Sequence, residues 1–380
     1  AAPAPALLLD ASEHHRWMIG RLLHRVRHIA QPAASQVPAA TAGWGSRARV
    51  SHQHQTFQRR SAASAATMPK MSDTDKYLFD LHGVVVVRGV LTQEEVAAAN
   101  AAIDKHLSEF KVREDNELRN TASGTPFAGD GKTPRLDLGG MLGWPAPDNE
   151  VFRKILAHPK LVPYLTELCG EGYRLDHQPL LIASEKGAEG FSLHGGSMDP
   201  EGNYVPYLAY HCMHGRMYNN LLACSVSLVD HPKGSGGFVC VRGSHKANFK
   251  IPKSLINGEE DPGDCLYHPE TKAGDVILFS EGTVHGASAW QMDYQRRLAL
   301  YRFAPATVAY GRAYHPTWPA EYTDGATEAQ LAVMQPPYNV RLDRKVVKGL
   351  EEEEEPKLEV KSRSAKKKEF DGDVFGTKYF

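Results

Sequence analysis

The stretch AGDVILFSEGTVHG, residues 273–286 of this 380-residue chain, combines a turn, a predicted strand and a histidine just past the end of that strand. Gly274 and Asp275 predict a turn, and the apolar, partly β-branched run at 276–279 predicts a buried strand. His285 lies just past the end of that strand, and Arg296 follows eleven residues later, where the next β-rich run begins. Among the histidines of this region, His285 therefore stands out by its context.

Short runs of the same kind recur along the middle of the chain. They alternate with turns that contain Gly or Pro, at residues 180–183, 221–228, 238–242, 275–279 and 297–303. Many short strands separated by turn residues are typical of a β-sandwich or barrel. Upstream, a buried strand at 83–90 is followed by Thr92 and Glu95, whose spacing is that of a capping box and predicts a helix start. The expected fold class is therefore mainly β with flanking helices.

The two ends of the chain differ from its centre. Residues 1–72 carry nine basic and two acidic residues and are rich in Ala and Ser, which is typical of a transit peptide and equally of a disordered, non-native leader. An acidic run at 351–355 and a basic run at 366–368 predict a charged tail. We therefore expect a basic leader at 1–72, one folded domain at 73–340 and a tail at 341–380. A native leader predicts a mitochondrial or chloroplast location, and otherwise we expect a cytoplasmic one.

The overall composition argues against several classes of protein. Lys and Arg number 44 against 45 Asp and Glu, so the basic excess of a nucleic-acid-binding protein is missing. No apolar run reaches the ~20 residues needed to span a bilayer. The five cysteines form no CxxC pair, which favours free thiols in a reducing compartment. We expect a small-molecule substrate as the partner, and the composition leaves the oligomeric state open.

Two further segments connect the chain to a known family. His194 stands in FSLHGG, residues 191–196, where the glycines permit close approach of another group to the backbone. The segment GSGGFVCVRGSHK occupies residues 234–246. The order of these segments, with the capped helix before them and a histidine and an arginine after them, resembles the phytanoyl-CoA dioxygenase family of iron- and 2-oxoglutarate-dependent oxygenases. The resemblance covers residues 77–305.

The resemblance implies a double-stranded β-helix, which is a jelly-roll or cupin-like barrel. It also implies Fe(II) held by His194 and His285, with 2-oxoglutarate and O2 as co-substrates. Two histidines and a carboxylate on one face, with open positions beside them, suit a non-haem Fe(II) oxygenase. No catalytic residue is expected beyond the metal ligands.

An arginine is the expected partner of 2-oxoglutarate. The far carboxylate of this co-substrate needs a bidentate cation, and a guanidinium fits that geometry better than an ammonium. Family spacing favours Arg296 and leaves Arg297 in reserve, and neighbours on an ideal strand point to opposite faces. Tyr218 and Asn219 precede a predicted strand and are further candidates for binding the co-substrate.

The sequence departs from the family at the carboxylate ligand. The family motif is His-x-Asp, whereas Gly196 stands two residues after His194. Asp199 is one replacement, because the glycines allow the chain to fold back, and His211 or His214 is another. Alternatively the iron position stays open, as in the halogenase relatives of the family, where a small residue replaces the carboxylate and chloride takes its place. A third alternative is a site that binds metal poorly.

The expected function is therefore hydroxylation of a small organic or lipid-like substrate by an Fe(II)/2-oxoglutarate-dependent dioxygenase. Because the aspartate ligand of the family is missing at Gly196, two alternative functions stay open. One is a halogenase-like enzyme with an open iron position, and the other is a non-catalytic jelly-roll that binds a ligand.

Overall fold

The computed structural model describes residues 70–112, 121, 123–199, 201–260, 265–310, 318–338, 343–350, 355–362 and 364–376. All of them belong to one compact unit, residues 65–380. Of the predicted leader, residues 1–69 lie outside the described residues.

Sixteen strands are present in the described ranges: β1 Val84–Val87, β2 Lys111–Val112, β3 Arg135–Gly139, β4 Arg174–Leu175, β5 Leu180–Ser184, β6 Phe191–His194, β7 Tyr210–Met213, β8 Arg216–Asn219, β9 Leu222–Ser227, β10 Gly237–Val241, β11 Leu266–Tyr267, β12 Val276–Ser280, β13 His285–Ser288, β14 Arg296–Ala304, β15 Arg344–Leu350 and β16 Pro356–Lys361. The same ranges contain eight α-helices: α1 Asp73–His82, α2 Gln93–Lys105, α3 Glu150–Lys154, α4 Val162–Cys169, α5 Lys253–Ile256, α6 Ala320–Thr323, α7 Glu328–Val333 and α8 Ala365–Phe375.

Two antiparallel sheets form the body of the domain. The larger has the order β1-β12-β9-β14-β5-β3-β2, with β4 also paired to β14, and the smaller has the order β11-β10-β13-β6. Side chains from both sheets line one cavity. The prediction of a mainly β fold with flanking helices is confirmed, and the arrangement is that of a two-sheet jelly-roll.

Strand β14 shows how the larger sheet separates this cavity from the core. Leu298 and Leu300 line the cavity, whereas Tyr301 and Phe303 are fully buried among the helices on the opposite face. The Tyr301 hydroxyl donates a hydrogen bond to the carbonyl of Phe152 in α3 at 2.8 Å. Alternation of side chains along a strand thus gives one face to the cavity and the other to the helices.

The predicted helix start at Thr92 is confirmed. The hydroxyl of Thr92 accepts a hydrogen bond from the backbone N–H of Glu95, and the Glu95 carboxylate accepts one from the Thr92 N–H. Val96, Ala99 and Ile103 are buried on one face of α2. Local sequence was sufficient here, because a capping box joins residues only three positions apart.

The C-terminal segment contains more folded structure than its charge runs predict. Strands β15 and β16 form an antiparallel hairpin, and β15 contacts α4 and α7. Val346, Val347 and Leu350 are buried in the core. The charged tail expected from residue 341 therefore includes a packed hairpin, whose short apolar runs are hidden in the sequence by neighbouring charges. None of the helices in the described ranges is long and apolar enough to cross a membrane.

A candidate metal and co-substrate site

His194 and His285 meet on the cavity wall. They end β6 and begin β13, where they are register partners, and their ring centroids are 4.3 Å apart. His194 Nδ1 lies 3.0 Å from the carbonyl oxygen of Ser192, and His285 Nδ1 lies 2.8 Å from that of Thr283. A neutral imidazole that donates from Nδ1 keeps its lone pair on Nε2, which is a metal-binding form. Both rings therefore keep Nε2 available as a possible metal ligand atom.

A glycine allows the loop after β6 to pack against the second histidine. Gly195 has a φ of +82°, and a Cβ added there would lie 2.8 Å from the carbonyl oxygen of Glu281 and 3.1 Å from Nδ1 of His285. Neither the conformation nor the space suits an L side chain. The FSLHGG segment thus brings the backbone close to the pair formed by His194 and His285.

The cavity beside the histidines has a volume of about 300 Å³. Its walls are mainly apolar and include seven large side chains: Leu180, Ile182, Phe191, Phe238, Phe279, Leu298 and Leu300. Three arginines also line it: Arg135, Arg296 and Arg302. An apolar pocket with a few convergent polar groups is typical of a small-molecule site.

Arg296 supplies a buried positive charge to this cavity. Its side chain is largely buried, and its Nε has no hydrogen-bond partner among the described residues. Burial lowers the pKa of Arg296 to about 9, and the positive charge of nearby Arg135 adds to this effect. Gly237 leaves room for the guanidinium, because a Cβ at this position would lie 3.0 Å from Nε. A buried cation without a partner is costly, so Arg296 fits an anionic group such as the far carboxylate of 2-oxoglutarate.

Arg297 lies on the opposite face of β14. Its Nη2 is 2.7 Å from a carboxylate oxygen of Asp104 in α2, and its Nε donates a hydrogen bond to Gln295 at 2.6 Å. The structure therefore separates Arg297 from the cavity, as strand alternation predicts.

Tyr218 and Asn219 do not line the cavity, so the structure does not support the prediction that they bind the co-substrate. Both belong to β8, which pairs only with β7 in a separate two-stranded sheet within the described residues. Asn219 is fully buried and donates a hydrogen bond to the carbonyl of Leu168 at 2.9 Å, whereas Tyr218 is 40% exposed. This hairpin packs against α4, which explains why β8 does not reach the cavity.

Asp199 does not join the histidine pair. Its two carboxylate oxygens accept hydrogen bonds from the backbone and side-chain nitrogens of Asn203, at 2.7 and 3.0 Å, and these bonds lower its pKa. The Nε2 of His211 lies 3.0 Å from the hydroxyl of Tyr204. In the part of the chain that the structure describes, no group of three or more His, Cys, Asp or Glu side chains is arranged to hold a metal. In the structure the carboxylate of Asp199 is thus used by its own loop, and the assignment of Asp199 as third ligand stays a prediction.

A different carboxylate lies beside the histidines. Glu281 is buried, its Oε2 is 3.7 Å from Nε2 of His285, and its Oε1 is 2.7 Å from Nε of Arg302. Burial alone would raise the pKa of Glu281, but Arg302, His285 and His194 together lower it to about 2. Burial lowers the pKa of His194 to about 3, with a further contribution from His285.

The sequence interpretation missed Glu281 and Arg302, although both carried a signal. Glu281 lies within the segment 273–286, four residues before the histidine. Arg302 lies six residues after Arg296, and an even spacing puts both on the same face of a strand.

Comparison with known proteins identifies the family of the chain. The family model described as phytanoyl-CoA dioxygenase (PhyH) matches residues 79–297, more than half of the chain. The chain belongs to the phytanoyl-CoA dioxygenase family. The predicted family is confirmed, and so is the expectation of a non-haem iron, 2-oxoglutarate-dependent enzyme that uses Fe(II), 2-oxoglutarate and O2.

Solved structures with the same fold include HygX from Streptomyces hygroscopicus. The HygX structure with nickel and 2-oxoglutarate bound is 20% identical to this chain, covers 64% of it and 90% of HygX, and gives a TM-score of 0.50. The structure with iron bound is 21% identical, with the same coverage and TM-score. At this identity the likeness shows the fold, and it confirms the predicted jelly-roll. No curated protein sequence matches the chain significantly.

The glycine-rich segment that resembles the phytanoyl-CoA dioxygenase family has a structural role here. The Ser244 hydroxyl donates a hydrogen bond to the Val241 carbonyl at 2.6 Å and accepts one from the Val284 N–H at 2.7 Å. His245 Nε2 lies 3.0 Å from the carbonyl oxygen of Asp80. The GSHK residues thus hold the backbone next to His285 and tie it to α1.

Proposed function

We propose that this protein is an Fe(II)/2-oxoglutarate-dependent dioxygenase that hydroxylates a small organic molecule. The observation that carries the proposal is the convergence of three side chains on one cavity. The Nε2 atoms of His194 and His285 are free of the backbone hydrogen bonds that Nδ1 makes, and Arg296 is a buried cation without a partner among the described residues. This combination suits a metal and an anionic co-substrate that bind side by side.

Each part of the site has a role in this proposal. His194 and His285 hold the iron, and Arg296 binds the far carboxylate of 2-oxoglutarate. When bound, the iron supplies the activation of O2, with 2-oxoglutarate oxidised to succinate and CO2 while one oxygen atom enters the substrate. The apolar walls, which include Phe238 and Phe279, exclude water and position a C–H bond of the substrate.

A halogenase-like reaction is the second candidate. Gly196 stands where the family has its aspartate, and Asp199 is hydrogen-bonded to Asn203. An iron position without a carboxylate would accept chloride, and a halogen atom instead of a hydroxyl would then be transferred to the substrate.

Reconstitution with Fe(II) under anaerobic conditions tests the proposal. We expect the wild-type protein to bind Fe(II) in a 1:1 ratio and to release succinate from 2-oxoglutarate after O2 is added. His285→Ala is expected to lose both properties, because one imidazole ligand is gone. His268→Ala is a matched control, because this exposed histidine does not line the cavity.

A wild-type protein that binds no iron and releases no succinate would contradict the proposal and favour a non-catalytic jelly-roll. Chloride and bromide added to separate reactions distinguish the two enzyme candidates once a substrate is known. Hydroxylated product in their presence supports the dioxygenase, and halogenated product supports the second candidate.

A further inference from the structure

Glu281 places a carboxylate next to the second histidine from the C-terminal end of β12. Its Oε2 lies 3.7 Å from Nε2 of His285, and both side chains are more than nine-tenths buried. The backbone of the same residue is fixed as well, because its carbonyl accepts a hydrogen bond from the Gly196 N–H at 3.2 Å. Gly196, which stands where the family has its aspartate, therefore contacts the backbone of Glu281, which carries this carboxylate.

The contact between the two side chains pairs two hydrogen-bond acceptors. His285 donates from Nδ1 to the Thr283 carbonyl, so Nε2 of the neutral ring carries a lone pair. A carboxylate oxygen is also an acceptor. Two acceptors that face each other in a buried site repel unless a cation lies between them. A metal ion between the two atoms would remove this repulsion, whereas Arg302 already balances the charge of the carboxylate at its other oxygen.

Arg302 holds the other half of the carboxylate. Its Nε is 2.7 Å from Oε1 of Glu281, so Oε2 is the oxygen left to face His285. Residues that hydrogen-bond a ligand in this way commonly orient it toward a metal. In the described residues Glu281 and the two histidines do not yet form a complete metal site. Ligand atoms at adjacent positions of an octahedral divalent metal lie about 3 Å apart, so Oε2 must move closer to Nε2 of His285 than the present 3.7 Å.

We propose that Glu281 is the carboxylate ligand of the iron site and replaces the aspartate that is Gly196 in this chain. The inference rests on the proposed function for the two histidines. It changes the order of ligands along the chain, because the carboxylate now precedes the second histidine instead of following the first. Asp199, the ligand predicted from the sequence, stays with Asn203 in its own loop.

Cobalt binding tests this assignment without requiring turnover. The full-length protein is titrated anaerobically with Co(II), and the dissociation constant and the visible absorption spectrum of the bound ion are measured. Glu281→Gln is expected to weaken Co(II) binding by at least about tenfold and to change the spectrum, since even residues that only orient a ligand contribute 10- to 100-fold. Asp199→Asn is expected to bind with wild-type affinity and spectrum.

Arg302→Met separates ligation from a merely structural role of the Glu281–Arg302 pair. If Glu281 binds the metal, Arg302→Met keeps the carboxylate ligand and loses only the partner that orients it, so its Co(II) affinity falls less than that of Glu281→Gln and its spectrum stays like that of the wild type. Equal losses in Glu281→Gln and Arg302→Met would overturn the assignment. Glu281→Asp keeps the charge and is expected to recover part of the affinity lost in Glu281→Gln. Melting temperatures show that each variant is folded.

The possible failures are distinguishable. Wild-type protein that binds no Co(II) contradicts the proposed function together with this inference. Wild-type protein that binds Co(II), with unchanged affinity and spectrum in Glu281→Gln, overturns only the assignment of Glu281. A spectral change on addition of chloride to that variant and to the wild type alike would then indicate the open position of a halogenase-like site.

Discussion

His194 and His285 face each other as register partners on β6 and β13, and each presents Nδ1 to a backbone carbonyl two residues before it. The ring orientations therefore follow from the strands themselves. A metal that binds here meets imidazoles whose tautomer and direction are already set, which lowers the cost of assembling the site.

Arg296 and Arg297 should differ sharply in their effect on co-substrate binding. We expect Arg296→Met to weaken 2-oxoglutarate binding by about tenfold to a hundredfold, because hydrogen bonds to charged groups contribute roughly 1.5–3 kcal/mol. Arg297→Met is the matched control, since its guanidinium pairs with Asp104 outside the cavity. The measurement is calorimetry of 2-oxoglutarate binding to the metal-loaded protein without O2. Similar losses in the two variants would argue against Arg296 as the carboxylate partner.

Gly195 should be essential for packing around the histidines. In Gly195→Ala the new Cβ would lie 2.8 Å from the Glu281 carbonyl oxygen and 3.1 Å from His285 Nδ1. Gly215→Ala is the control, because Gly215 also has a positive φ, of +71°, but no atom lies within 4 Å of the added Cβ. We expect Gly215→Ala to lower the free energy of unfolding by about 1–2 kcal/mol, because an alanine in the left-handed conformation is strained by that amount. Gly195→Ala should cost more and also weaken metal binding, as shown by urea unfolding and by metal titration.

His158 should make the protein less stable in mild acid. It is buried, and burial lowers its pKa to about 4, with the positive charge of Lys154 adding to the shift. Below its ordinary pKa of 6.5 the unfolded chain takes up a proton that the folded protein excludes. The free energy of unfolding therefore falls as the pH decreases from 6.5 toward 4, and the contribution of His158 at pH 5 is about 2 kcal/mol.

A His158→Asn variant tests this pH dependence. We expect the difference between its unfolding free energies at pH 7 and pH 5 to be smaller than that of the wild type by about 2 kcal/mol. Equilibrium urea unfolding at the two pH values gives the comparison. An identical pH dependence in both proteins would show that His158 is protonated in the folded state as readily as in the unfolded one.

The hairpin of β15 and β16 should contribute to the stability of the domain. Val347 is 1% exposed and packs in the core, whereas Val360 on β16 is 51% exposed. We expect Val347→Ala to lower the free energy of unfolding by about 2 kcal/mol through lost burial and a small cavity. Val360→Ala should change it by less than about 0.5 kcal/mol. Urea unfolding measures both, and equal values would mean that the hairpin does not pack on the domain in solution.

Features that depend on neighbouring residues could be predicted from the sequence. The Thr92 capping box, the strand at 276–279 and the alternation of Arg296 and Arg297 all follow from spacings of one to three residues. The position of the C-terminal hairpin could not be predicted in this way. Its burial depends on contacts with α4 and α7, which are distant in the chain.

The candidate site shows the same difference between features that depend on neighbouring residues and features that depend on distant contacts. Sequence by itself determined the family, and it singled out the two histidines and the arginine as candidates, because each stands in a short motif that can be recognised by its residue types and their order. Only the tertiary structure decided which carboxylate approaches the histidines. Asp199 lies closer in the chain to His194, but its loop supplies Asn203 as a partner, whereas the end of β12 holds Glu281 between His285 and Arg302. Which carboxylate approaches the histidines depends on hydrogen bonds between residues that are distant in the chain, and these bonds cannot be predicted from the spacing of residues in the sequence.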